Sequence, residues 1–191
     1  MRRNYNLEII RMISCFFVIV IHVTNYFCRA YGEITQSEYL FALLLDTLAR
    51  VSVPCFFMIS GALLLGREEP LKKHRERLLR FLIALVVWSV VYYIWNRAFM
   101  KTEYNLKEIL YVPTEPHLWY LYAMIPIYMV LPFFQVMCKG MSRKLERTLL
   151  VVCGASVVFN YMVSLQNGEA YYDLPLVGDK VYMFYIFIGY F

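Results

Sequence analysis

Charged side chains are scarce in this sequence: Asp, Glu, Lys and Arg make up 17% of its 191 residues. A soluble domain carries about 25%, because its surface has to be covered with groups that water solvates. Hydrophobic residues fill the gap at 61%, aromatics reach 18%, and the mean hydropathy is +0.52. That balance excludes a disordered chain, a basic nucleic-acid-binding domain and a small disulfide scaffold. It leaves an integral membrane protein. Paired cysteine motifs are also missing. Cys15, Cys28, Cys55, Cys138 and Cys153 form no CxxC pair and none stands at metal-ligand spacing to a histidine. In and beside apolar runs, cysteine acts as a small hydrophobe, and all five read as structural. No internal repeat or low-complexity stretch is present.

What the chain does have is long apolar runs. A spanning helix needs about 20 mostly apolar residues at about 1.5 Å each to cross a core of about 30 Å. Residues 9–28, 41–65, 78–96, 118–137 and 148–165 meet or approach that length. A sixth run, Lys180 to Phe191, reaches only about 18 Å and does not span alone. The fold class expected is therefore all-α: a polytopic membrane helical bundle of five complete spans and a truncated sixth, in one domain over 1–191. The first run follows Arg2 and Arg3 as a signal peptide would, yet it is too long for one and lacks a small-x-small cleavage site. It reads as a retained span.

Charge placement orients the bundle. One side carries Arg2, Arg3, Arg67, Lys72, Lys73, Arg75, Arg77, Arg80, Lys139, Arg143, Lys144 and Arg147. The other carries Arg29, Arg97, Lys101 and Lys107, with acids including Glu33, Glu115 and Asp173. Basic residues collect on the cytoplasmic side, so the N-terminus is expected there. The net charge of +5 is thus a topology signal.

Ionisable groups inside a span cost about 2.5–3.5 kcal/mol each at a helix centre and ask for a reason. In span one, Arg11 and His22 are eleven residues apart, about 20° around the axis and about 16 Å along it. Glu8, Ser14, Cys15, Val18 and Asn25 fall within about 60° of Arg11, making one polar stripe. Such a stripe is expected to face the bundle interior or a water-filled cavity. In span two, Asp46 and Arg50 are spaced to pair on one face, with Phe57 and Ser60 nearby on the helix. Span two runs back through the membrane, so Arg50 is expected at a depth similar to that of His22.

Each group also has a plainer reading. Glu8 with Arg11 fits an ordinary i,i+3 pair at the membrane boundary, and Asp46 with Arg50 fits a pair that locks two helices. A lone intramembrane histidine is often an interhelical hydrogen bonder. The run from Lys72 to Arg80 serves as a positive-inside loop and a lipid-headgroup contact, although Arg77 and Arg80, one turn apart, are also placed to hold a phosphate together. His117, Trp119 and Tyr120 open span four, where an interfacial aromatic belt explains the two aromatics. Tyr171 and Tyr172, in the loop Gln166–Asp179, fit interfacial anchors better than a sugar-stacking surface.

Taken together these residues resemble the integral membrane acyltransferase-3 family of bacteria, which includes O-acetyltransferases of cell-surface glycans. Four segments carry the resemblance: Arg11-x10-His22 in span one; Val53-Pro-Cys-Phe-Phe-Met-Ile-Ser60-Gly61 at the end of span two; Arg77-x-x-Arg80 entering span three; and His117-Leu-Trp119-Tyr-Leu at span four. Where members often have Asp three residues before the motif arginine, this chain has Glu8. Members also hold more spans, so the match covers nearly all of this chain and about the first half of a member.

The resemblance implies transfer of an acyl group, commonly acetyl from acetyl-CoA or another acyl-CoA, onto a hydroxyl of a cell-surface or lipid-linked carbohydrate. It implies that Arg11 and His22 are needed for activity and that Arg77 and Arg80 contact the acyl-CoA. No metal and no nucleic acid belong to that picture. The partners are acyl-CoA, the glycan acceptor and membrane lipids, and the setting is the bacterial cytoplasmic membrane. His22 would act as general base or form an acyl-histidine, with Arg50 steadying an oxyanion or merely neutralising Asp46. The alternative is a transporter or substrate-uptake module, with His22 in a polar translocation path.

Overall fold

In the computed structural model the described residues are 4–101, 109, 112–166 and 181–191. They are predominantly helical, with turns between the helices and no strand among them. Arg2, Arg3, Lys107 and the outer loop with Tyr171, Tyr172 and Asp173 lie outside them. Among the described residues seven α-helices follow one another: α1 (Tyr5–Arg29), α2 (Gln36–Ala49), α3 (Ser52–Leu64), α4 (Leu71–Trp95), α5 (Trp119–Lys139), α6 (Arg143–Leu165) and α7 (Tyr182–Tyr190). A π-helical turn, Asn96–Met100, continues α4, and a 3₁₀ turn, Pro116–Leu118, leads into α5. Five segments are long and apolar enough to cross a membrane: Tyr5–Arg29, Gln36–Leu64, Leu71–Met100, Pro116–Lys139 and Arg143–Leu165. They fall on the five expected spans, and the protein is a membrane protein of the all-α class.

The helix ends follow local chemistry. Asn4 caps α1 by accepting from the Asn6 N–H at 3.1 Å, and Ser142 caps α6 through the Leu145 N–H. Thr35 and Glu38 form a reciprocal capping box at α2, which fixes the turn between the first two helices.

Span two runs as one crossing segment, Gln36–Leu64, but its hydrogen-bond ladder lapses at Arg50 and Val51, which keep right-handed helical backbone angles. The cause is Pro54, which lacks the N–H that would bond the Arg50 carbonyl and whose ring crowds that carbonyl. The ladder resumes one residue later, where the Cys55 N–H donates to the Val51 carbonyl at 3.1 Å. In α5, by contrast, Pro126 and Pro132 are carried inside one helix.

The chain forms two compact units, Met1–Gly66 with Met141–Phe191, and Arg67–Gly140. In the first, α1 packs on α2 and α3, and α7 packs on α3 and α6. The α3–α7 seam is close because it uses glycine on both sides. A Cβ on Gly61 would stand 1.9 Å from the Ile186 carbonyl oxygen, and one on Gly189 would stand 2.0 Å from that of Met58. Small residues at a membrane seam let backbones approach in this way. Phe57, fully buried, stacks on Tyr182 at 4.5 Å beside that seam. In the second unit, α4 packs on α5, with Phe81 against Tyr128 at 4.7 Å.

Candidate functional site

In the first unit the candidate residues gather on α1 and α2. Arg11 Nη1 donates to Glu8 Oε1 at 3.2 Å, one turn back on the same helix, with both side chains partly covered. The expected stripe is largely present. Glu8, Arg11, Val18 and His22 are half-buried and Ser14 is buried, so they share the packed side of α1. Cys15 and Asn25, counted in the same stripe, are exposed instead. Asn25 sits at its margin and accepts from Arg29 Nε at 3.3 Å.

Asp46 is buried on α2 and takes two donors. Arg50 Nε reaches it at 2.7 Å from the next turn, as the i,i+4 spacing requires, and Thr24 Oγ1 of α1 reaches it at 3.2 Å. The arginine itself stays largely open, with 70% of its side chain exposed. Thr24 escaped the sequence reading because it lies about 200° around α1 from His22, off the stripe. The Thr24–Asp46 contact sets the register of the two helices. At about 1.5 Å per residue, His22 stands about 3 Å and Arg50 about 6 Å from that level, toward the basic end. The backbones of His22 and Arg50 therefore lie within about 3 Å of one depth.

Ser60 does not extend this group, since its hydroxyl donates to the Phe56 carbonyl of its own helix at 2.9 Å. The phenylalanine-rich Ser-Gly segment instead forms the α7 seam through Phe57 and Gly61.

The second unit holds the remaining candidates. Arg77, on the first turns of α4, is gripped by Glu69, with Nη2 at 2.8 Å from Oε1 and 2.6 Å from Oε2. Arg67 approaches the same carboxylate at 3.5 Å, and Lys139 at the end of α5 pairs with Glu68. The Arg77 guanidinium holds the Glu69 carboxyl below the usual carboxylate range, and Lys139 does the same to Glu68. Arg80 is exposed one turn on, so the two arginines are not held alike. Nothing in the spacing of Arg77 and Arg80 announced Glu69; the available signal was an acidic pair, Glu68–Glu69, inside a basic loop. At the other end of α4, His117 meets the Tyr92 ring edge-on at 4.9 Å, and Trp119 crosses Tyr120 at 6.0 Å. Asn96, buried, donates to Glu115 at 2.8 Å and ties the chain before α5 to the π-helical turn.

Between α4 and α5 this unit also encloses an open groove of 480 Å³, lined mainly by Leu82, Leu85, Val86, Ile125 and Pro126, with Ser89 in its wall. Among the described residues no three His, Cys, Asp or Glu side chains converge as a metal site.

The arrangement offers an imidazole and two guanidiniums near packed membrane helices in one unit, and a guanidinium pinned by a carboxylate at the basic end of the other. The family model for acyltransferase-3, described as an acyltransferase domain, matches residues 4–191. No curated protein and no solved structure matches the chain.

Proposed function

Since the chain belongs to the acyltransferase-3 family of membrane acyltransferases, we propose that it moves an acyl group, acetyl in the first instance, from cytoplasmic acyl-CoA to a hydroxyl of a cell-surface or lipid-linked carbohydrate, in a bacterial cytoplasmic membrane. The observation that carries this reading is the placement of Arg11 and His22 together on the packed side of α1.

In the proposed reaction the imidazole of His22 takes the proton of the acceptor hydroxyl as its oxygen attacks the thioester carbonyl. The carbon–sulfur bond then breaks and the thiolate of CoA leaves, taking the proton from His22. The products are the ester and free CoA. Arg50 neutralises Asp46, which meets α1 at Thr24, about 200° around the helix from His22. The phosphates of CoA would meet Arg77 and Arg80 at the basic end of α4, where fixed guanidiniums suit phosphate geometry. Arg77 would then exchange Glu69 for phosphate, while Arg80 is already open.

The alternative reading is transport or substrate uptake, with His22 in a polar translocation path. It predicts no thioester turnover. The deciding experiment adds acetyl-CoA and a crude glycan fraction to membranes containing the protein and measures free CoA. Turnover is expected to fall about 100-fold or more in His22→Ala, and Arg77→Ala with Arg80→Ala is expected to weaken acetyl-CoA binding. Wild-type turnover in a correctly inserted His22→Ala protein overturns the assignment of His22.

A further inference from the structure

We propose that the groove between α4 and α5 binds the hydrocarbon chain of an anionic membrane lipid, with the lipid head group at Arg97. The proposal requires that the chain sit in a membrane, and it stands apart from the acyl-transfer reading.

The groove has 480 Å³ of space and a wall that is apolar apart from Ser89 and two tyrosines, Tyr93 and Tyr122. It runs along α4 from Leu82 to Tyr93, about 16 Å at 1.5 Å per residue, which is half the thickness of a bilayer core. Val86 and Val90 are 59% and 50% exposed, so the groove opens sideways instead of closing as a core. Water is a poor occupant because the lining offers it too few polar partners. An empty groove forfeits dispersion contacts along both helices. A hydrocarbon chain restores them.

The groove has polar points of its own. Ser89 is 3% exposed, lines the cavity, and its hydroxyl has no hydrogen-bond partner among the described residues. One turn along α5, Pro126 has no N–H to give the Tyr122 carbonyl. At the end away from the basic loop, Arg97 Nη1 donates to the hydroxyl of Tyr93, itself a groove residue, at 3.1 Å. The nearby acid Glu115 is engaged by Asn96. Arg97 is exposed and, through its bond to Tyr93, sets a positive charge beside the groove. The site thus presents an apolar slot with a tyrosine hydroxyl in its wall and a guanidinium next to it, which complements an acyl chain carrying an anionic head group.

Hydrocarbon gains little by moving from bilayer to groove, since lipid tails are as apolar as leucine. Shape retains the chain, and discrimination between lipids rests on Arg97. One basic side chain near the membrane surface corresponds to about fivefold preference for an anionic over a zwitterionic lipid.

The test reconstitutes the protein in nanodiscs of phosphatidylglycerol and phosphatidylcholine, with a diazirine on the acyl chain of one lipid at a time, and maps the cross-linked residues. Cross-links are expected between residues 82 and 93 and between 122 and 126, about fivefold more with phosphatidylglycerol. Arg97→Gln is expected to bring that ratio close to one while keeping the chain contacts. Ser89→Leu, which fills the slot, is expected to abolish them. Ile125→Phe fills it from the other helix and serves if Ser89→Leu does not fold. Equal labelling of α4, α5 and α6, or groove labelling that survives both filling variants, overturns the proposal. Cross-links from the groove to a second protein chain in place of lipid also overturn it.

Discussion

The hydroxyl of Thr24 on α1 donates to the buried carboxylate of Asp46 on α2 at 3.2 Å. This contact links α1, which bears His22, to α2, at whose C-terminal end Arg50 stands. The same hydroxyl lies 2.9 Å from the Val20 carbonyl of its own helix, so its one proton is shared between that carbonyl and the carboxylate.

Thr24→Val is nearly isosteric and removes the donor. It is expected to destabilise the protein by about 0.6 kcal/mol, and by no more than about 1.7, the range for interhelical hydrogen bonds in membranes. Asp46→Ala is expected to cost more, because it also strips Arg50 of its counter-charge. Unfolding in mixed micelles by SDS titration reads both. Equal stabilities for Asp46→Ala and wild type would dismiss the carboxylate as the link between these helices.

The α3–α7 seam makes a sharper forecast. Gly61→Ala and Gly189→Ala each put a methyl group about 2 Å from a backbone carbonyl oxygen, where no side-chain rotation can relieve it. Each is expected to lower stability by at least about 1–3 kcal/mol. Gly154→Ala supplies the control: its methyl would meet the Phe184 ring at 3.5 Å, an ordinary contact. Thermal unfolding in detergent should separate the first two variants from the third.

Glu69 and Arg77 predict a pH dependence. The folded-state pKa of Glu69 lies below the ordinary 4.5, chiefly through its hydrogen bond to Arg77. A depressed carboxyl pKa contributes stability that is fully present above the unfolded value and is lost as pH falls through the folded one. Glu69→Gln is therefore expected to be less stable than wild type at neutral pH, with the gap closing below about pH 4.5. Melting temperatures across that range check this, and a gap that widens in acid would contradict it.

The same pair yields a coupling experiment. Arg77→Ala leaves Glu69 without its closest cation, whereas in a Glu69→Gln background the same change strands no charge. The two substitutions together are expected to cost less than the sum of the two apart, since residues in one ion pair do not act additively. Strict additivity in a double-mutant cycle would mean that the pair contributes nothing.

Much of this was legible one residue at a time. The five spans followed from apolar length, because a bilayer core of about 30 Å imposes the same helix length wherever it is crossed. The Asp46–Arg50 and Glu8–Arg11 pairs followed from helical spacing. Pro54 held the signal for the lapse in the span-two ladder, yet Pro126 and Pro132 sit inside an unbroken α5, so proline position alone did not separate the two cases. Asn25 and Cys15 fell on the right side of a helical wheel and still lie in the open. An angle on a wheel says which residues share a face and not how far a neighbour covers it.

The sequence by itself determined the membrane class, the five described segments long and apolar enough to cross, the clustering of basic residues in particular loops and the family, because those depend on local composition and on motifs at set spacing. Only the tertiary structure decided that Thr24 and not the Arg11 stripe meets Asp46, that Arg77 is held by Glu69 while Arg80 is open, and that Gly61 belongs to a backbone seam with α7. It also decided that α4 and α5 part around Ser89 to leave a groove. These are contacts between segments distant in sequence or between faces of packed helices, where shape and register choose the partner and no spacing along the chain records the choice.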